Sequence, residues 1–181
     1  MRGPYGSRAA LAALLALTLA SAVGLLSAPR AGARPAGVYE RHWLEDQLMK
    51  AVASVRGQHG LASLEANGEL AAAAQQHTIE MVREGYFQHN GVSLSYARRL
   101  QNYYPRLGPR RPWRVGEILA WGSPSISAGL ALTLWLHSTE HRATLLSRWR
   151  DIGISAFHSS NAPGIFQGLD VTVITIDFGQ R

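Results

Sequence analysis

An α+β sandwich, with helices packed on antiparallel strands, is the fold class this 181-residue chain predicts. Three observations predict it. Apolar residues recur at helical spacing between residues 40 and 146; two runs rich in β-branched residues end the chain; and no regular strand–helix–strand alternation lies between them. Helices first and strands last argue against a doubly wound parallel sheet. The chain has no cysteine, so disulfides are excluded and any metal would need His and carboxylate ligands.

The amino-terminal segment carries Arg2 and Arg8, no acid, and then an Ala/Leu-rich run over residues 9–26. This is the shape of a secretory signal. Ala20-Ser21-Ala22 and Ala31-Gly32-Ala33 both offer small-x-small cleavage sites, and the second is preferred because the apolar run continues past the first. The expected division is a signal over 1–33, a linker over 34–39 and one domain over 40–181. An uncleaved run of 18 residues would instead just span a bilayer and anchor the protein there. Cleavage after residue 33 removes Arg2, Arg8 and Arg30, and the net charge falls from +6 to +3. Nucleic acid is therefore a poor partner, the more so for an exported protein. A single chain acting as a monomer is expected.

Within the domain, Trp43, Leu44, Leu48, Val52 and Val55 predict a helix over 40–55, closed by Gly57 and Gly60. Leu70, Ala73, Ala74, His77 and Met81 predict a second over 68–84, with Gly85 as its stop. Residues 93–104 allow a shorter helix, followed by a Pro/Gly/Arg loop. The run WRVGEILAWG reads as a short strand or a turn, and residues 125–146 as one helix containing Trp135. DIGISAF and VTVITIDFG, separated by the turn-forming HSSNAPGIFQG, predict two antiparallel strands.

One pentapeptide, His137-Ser138-Thr139-Glu140-His141, fits the H-x-x-E-H pattern of a class of zinc peptidases. A catalytic zinc wants a third protein ligand, and no Glu follows Glu140. On a continuous helix Trp135, Ser138 and His141 share a stripe, while His137 falls on the far side. His141 is the candidate and His137 is expected at the surface.

Three ordered blocks, LEANGELAAAAQQHTIEMVREGYFQHN, GEILAWG, and WLHSTEHRATLL followed by DIGIS, together resemble the CAP superfamily of cysteine-rich secretory proteins, antigen 5 and plant pathogenesis-related proteins, and specifically its small bacterial secreted members with an SCP domain. The match runs from about residue 40 to residue 179. The resemblance implies an α-β-α sandwich with an open cleft lined by two histidines and two glutamates. His89 matches the first histidine, Glu117 the first glutamate and His141 the second histidine. The second glutamate position holds Ser138, and Glu140 lies on a neighbouring face. Ile118 and Thr144 stand where relatives often have Asn.

His89, Glu117 and His141 are thus the candidate catalytic and metal-binding residues, with Ser138 and Glu140 beside them. No cofactor is required by this reading; a divalent metal such as zinc suits the histidines better than calcium does. The expected function is binding of an extracellular ligand (lipid, peptide or cell-wall component) in that cleft, without conventional catalysis. A metal-assisted hydrolase using the same three residues is the alternative, and an interaction module with a structural tetrad is a third. His77 reads as a satisfied core histidine. His42, His59 and His158 have no constellation around them in the sequence. Arg98, Arg99, Arg106, Arg110, Arg111 and Arg114, interleaved with Tyr103, Tyr104 and Trp113, read as a solvated loop or a basic aromatic surface.

Overall fold

The computed structural model describes residues 37–181; the expected signal over 1–33 and the first linker residues lie outside the described part. In chain order the elements are β1 (Val38–Glu40), α1 (His42–Gln58), β2 (Glu65–Ala66), α2 (Gly68–Glu84), α3 (Tyr96–Tyr103), β3 (Arg114–Gly122), α4 (Ala128–His137), α5 (Thr139–Leu145), β4 (Asp151–Ala162), a 3-10 turn (Gly164–Phe166) and β5 (Leu169–Gln180). The sheet order is β1-β4-β5-β3, and β2 adds a short parallel pairing to β4. β4 and β5 form the expected antiparallel pair at its centre. β3 runs antiparallel to β5 in unbroken register, with Glu117 opposite Asp177, and among the described residues its other edge has no strand neighbour.

Period-two alternation sends each strand's side chains to opposite faces. Ile118 and Ala120 of β3, Ile152 and Ile154 of β4, and Ile174, Ile176 and Phe178 of β5 form one face, covered by Leu44, Leu48 and Val52 of α1 and by Leu132 and Trp135 of α4. Leu119, Val171 and Val173 form the other face, covered by Met81 and Val82 of α2. This is the α-β-α sandwich. Asn67 caps α2, its side chain accepting from the amides of Glu69 and Leu70 at 3.0 Å each. Gly85 ends α2 at φ 73°, with the Pro163 carbonyl group 2.6 Å from where a Cβ would stand, so only glycine serves there.

Several boundaries differ from the sequence reading. Val38 and Tyr39, expected in the linker, pair with Ser159 and His158 of β4, and the first helix begins at His42 instead of residue 40. WRVGEILAWG is a nine-residue strand. The single helix expected over 125–146 is two, because Ser138 takes an extended conformation (φ −93°, ψ 123°) that ends α4 and starts α5. Among the described residues no helix is long and apolar enough to cross a membrane.

Candidate functional site at the free edge of strand β3

β3 delivers Glu117 to the α2 face of the sheet, where it is 6% exposed. The segment after α2 brings His89 to it: His89 Nδ1 lies 2.8 Å from Glu117 Oε1. Arg99 arrives from α3, itself only 1% exposed, and its Nη2 donates to Glu117 Oε2 while Nη1 donates to the His89 backbone carbonyl at 3.1 Å. Both oxygens of Glu117 are therefore engaged. Arg99 holds the carboxylate and the loop that carries the histidine at the same time.

Behind this chain lies Asp177, fully buried, 3.9 Å from Arg99 Nη2 and directly across from Glu117. Neither Asp177 oxygen has an N–H or O–H partner from another group. A proton shared between the two carboxyls would meet that need. Burial, and then the neighbouring Glu117 carboxyl, push Asp177 well above the usual carboxylate range, whereas burial alone raises Glu117, to about 7, against the lowering effect of Arg99 and of the Asp177 hydrogen bond. His77 completes the layer. Its Nε2 donates to the Gln88 carbonyl at 2.9 Å, and burial first, then Arg99, lowers its pKa to about 3. It is a neutral buried histidine as the sequence suggested, but only half satisfied, because its Nδ1 has no hydrogen-bond partner.

His89 is half exposed at the lip of a cleft of about 490 Å³ lined also by Tyr96, Arg114, Glu117, Thr144 and Trp149. Burial, followed by the Arg99 charge, lowers its pKa, so the ring is neutral near pH 7. The Glu117 contact places the ring proton on Nδ1 and leaves the lone pair on Nε2. Gly116 forms part of the floor. A Cβ there would stand 2.6 Å from the Trp149 ring.

His141 sits further along the same strand edge, in a concavity of about 340 Å³ with Phe87, Trp121, Leu134 and Ser138. Its pKa is lowered by burial and then by His89, so the two imidazoles feel each other. His137 is at the surface as expected, and the two neighbouring candidates Ser138 and Glu140 lie outside a common helical stripe with His141. Ser138 does not share a helical stripe with His141; it is the junction between two helices, and its Oγ accepts from the His141 amide at 3.5 Å. Glu140 and His137 are exposed, with His137 bonded back to the Thr133 carbonyl at 2.8 Å. The helix break at Ser138 removes the i, i+4 face on which the peptidase reading rested.

In this arrangement His89 and Arg99 engage one oxygen of Glu117 each. The carboxylate orients the His89 ring. Among the described residues, the one group of three His or carboxylate ligand atoms within 4.8 Å of one another is Glu40, His42 and Glu45, away from the cleft. The residues missed in the sequence are Arg99 and Asp177. Arg99 stands among the loop arginines in the sequence, yet Tyr96, Arg99, Leu100 and Tyr103 recur at i, i+3, i+4, i+7, the spacing of a buried stripe. Tyr104 is likewise buried, its hydroxyl donating to Asp151 at 2.5 Å, whereas Arg98, Arg106, Arg110, Arg111 and Arg114 are exposed.

The chain belongs to the CAP family: the model of the cysteine-rich secretory protein family matches residues 49–171. A search of curated proteins gave no match. Among solved structures, an outer surface protein of Borrelia burgdorferi is similar at TM-score 0.63 and 20% identity, over 81% of this chain and 98% of that one. An extracellular SCP-domain protein of Bacillus anthracis is similar at TM-score 0.57 and 23% identity, over 75% of this chain and 40% of that one. A cysteine-rich secretory protein of Staphylococcus aureus has TM-score 0.50 and 16% identity, over 77% of this chain and 39% of that one. These likenesses establish the fold.

Proposed function

We propose that this CAP domain acts outside the cytoplasm as a binding protein that takes an extended ligand along the free edge of β3. The observation that carries the reading is the chain Arg99–Glu117–His89, which spends a buried ion pair on fixing one half-exposed imidazole at the lip of the cleft. A neutral Nε2 accepts a hydrogen bond from a ligand hydroxyl or amide. The cleft and the His141 concavity border consecutive stretches of β3, residues 114–117 and 119–121, which favours an elongated ligand over a compact one. The outer lining is apolar enough for a lipid or peptide, and a cell-wall fragment fits the same description. Export is supported by the apolar run over residues 9–26 and by the extracellular and outer-surface descriptions of similar bacterial structures.

Binding is favoured over nucleophilic hydrolysis by the hydroxyls at hand. Ser147 Oγ donates to the Ala143 carbonyl at 2.7 Å, and Ser138 Oγ serves as a helix cap; neither is paired with a base. The test is binding of lipid vesicles, peptides and soluble cell-wall fragments to wild type, His89→Ala and His141→Ala. A ligand held at least about tenfold more weakly by both variants, about 1.4 kcal/mol, with unchanged circular dichroism is the expected result. Equal affinity for all three proteins refutes the cleft reading, and turnover of peptide or ester substrates lost in both variants moves the assignment to a hydrolase.

A further inference from the structure

We infer that Glu40, His42 and Glu45 form a divalent-cation site, distinct from the cleft, that fastens the start of the domain. The sequence Glu40-Arg41-His42-Trp43-Leu44-Glu45 places the first carboxylate at the end of β1 and the imidazole at the first position of α1. The second carboxylate lies three residues on, on the same helix face. His42 Nε2 is 3.4 Å from Glu40 Oε2, and Nδ1 is 3.2 Å from Glu45 Oε2. Bonds of about 2.0–2.1 Å to a tetrahedral zinc set ligand–ligand edges near 3.3 Å, so little movement separates these groups from a coordinating arrangement. An ion takes one ring nitrogen, and the ring, 76% exposed, is at liberty to turn toward both carboxylates.

The outer contacts separate this group from an ordinary patch of surface acids. Glu45 Oε1 accepts the Ala156 amide of β4 at 2.8 Å, and Glu40 Oε1 accepts Gln75 Nε2 of α2 at 3.0 Å. Each carboxylate is thus oriented by a donor from a different element, with its remaining oxygen turned to the imidazole. Metal-binding carboxylates are held by such contacts. One imidazole with two carboxylates suits zinc and its transition-series neighbours rather than calcium, which takes oxygen ligands only. Two carboxylates also neutralise the ion's charge. A bound ion would join β1, α1, β4 and α2 at the point where the chain enters the sheet through a strand of three residues.

The experiment titrates Zn²⁺ into the full chain after removal of metal with a chelator, by calorimetry with a parallel thermal melt, and compares wild type, His42→Ala, Glu45→Gln and the double variant His89→Ala/His141→Ala. The expected result is one equivalent of zinc and a rise in Tm for wild type and the double variant. Affinity should fall at least about tenfold and the Tm rise should vanish for His42→Ala and Glu45→Gln, the scale seen when a metal site loses a partner. His42 is exposed, and Gln at position 45 can still accept from Ala156, so both variants keep the fold. The inference is overturned by a wild type that binds no zinc, by His42→Ala binding as wild type does, or by zinc lost in the double variant while His42→Ala retains it. The first of these outcomes would leave His42 as an ion-paired residue between two glutamates.

Discussion

On one face of the sheet α1, α4 and α5 cover a layer of aliphatic and aromatic side chains, whereas on the other α2 and α3 cover a layer crossed by a polar seam. The first layer has a buried cation too, Arg56, but it is satisfied by backbone: Nη1 donates to the Leu145 and Ser147 carbonyls at 2.9 and 2.8 Å. The seam instead holds side chain against side chain. Thr78 Oγ1 meets Thr175 Oγ1 at 2.7 Å, and His77, Asp177, Glu117 and Arg99 continue the line to His89 at the cleft. Desolvating such groups offsets much of what their pairing contributes. The contrast teaches that both faces bury an apolar core, and that only the second ties its buried charges to an exposed ring.

The comparison breaks most severely if the apolar face is opened. Trp135→Ala removes a buried indole whose Nε1 donates to the Leu119 carbonyl at 2.8 Å, and denaturant unfolding should record a loss of about 3–5 kcal/mol. Arg99→Ala should cost about 3 kcal/mol by leaving two carboxyls buried without their cation. Replacing the cluster whole, as Arg99→Met with Glu117→Gln and Asp177→Asn, should recover most of that loss and still abolish ligand binding. A triple variant as unstable as the single one would mean the seam is there for stability after all.

Asp177→Asn sharpens the contrast through pH. In the folded protein Asp177 keeps its proton above the ordinary carboxylate range. Its favourable contribution is therefore complete below the unfolded value of about 4 and is lost as pH rises from there. Asn does not titrate, so denaturation between about pH 4 and 8 should show the variant gaining on wild type with rising pH. A difference that stays flat would place the shared proton elsewhere. The smallest effect is expected at His137→Ala, within about ±0.5 kcal/mol in stability and with no change in ligand binding.

Legibility in the sequence followed the same division. β4, β5 and the apolar stripes of α1 and α2 were readable because burial on a regular element leaves a period in the chain. β1 and β2, of three and two residues, are too short to leave one, and their pairing depends on β4. β3 was ambiguous because Gly116 interrupts its apolar pattern and it is an edge strand among the described residues. The break at Ser138 was missed although its signal was present: a serine followed by Thr139 and Glu140 is a helix start, with an acid in the first turn. His89, Glu117 and His141 are named by the ordered blocks, and the structure sets His89 against Glu117. Whether Glu117 binds an ion or steers an imidazole depends on Arg99, 18 residues away.

Gly116 gives the cleft a gauge. Trp149 lies across the strand because position 116 carries no methyl group, and the ring is stacked on Phe178 with centroids 5.9 Å apart and sandwiched on its outer side by Arg114, 4.8 Å from its centroid. A single carbon added at 116 would have to lift the whole indole and the guanidinium resting on it. The bore of this groove is therefore written in the main chain, and one alanine at 116 would reset it through Trp149 and Arg114 while leaving the Arg99–Glu117–His89 chain in place.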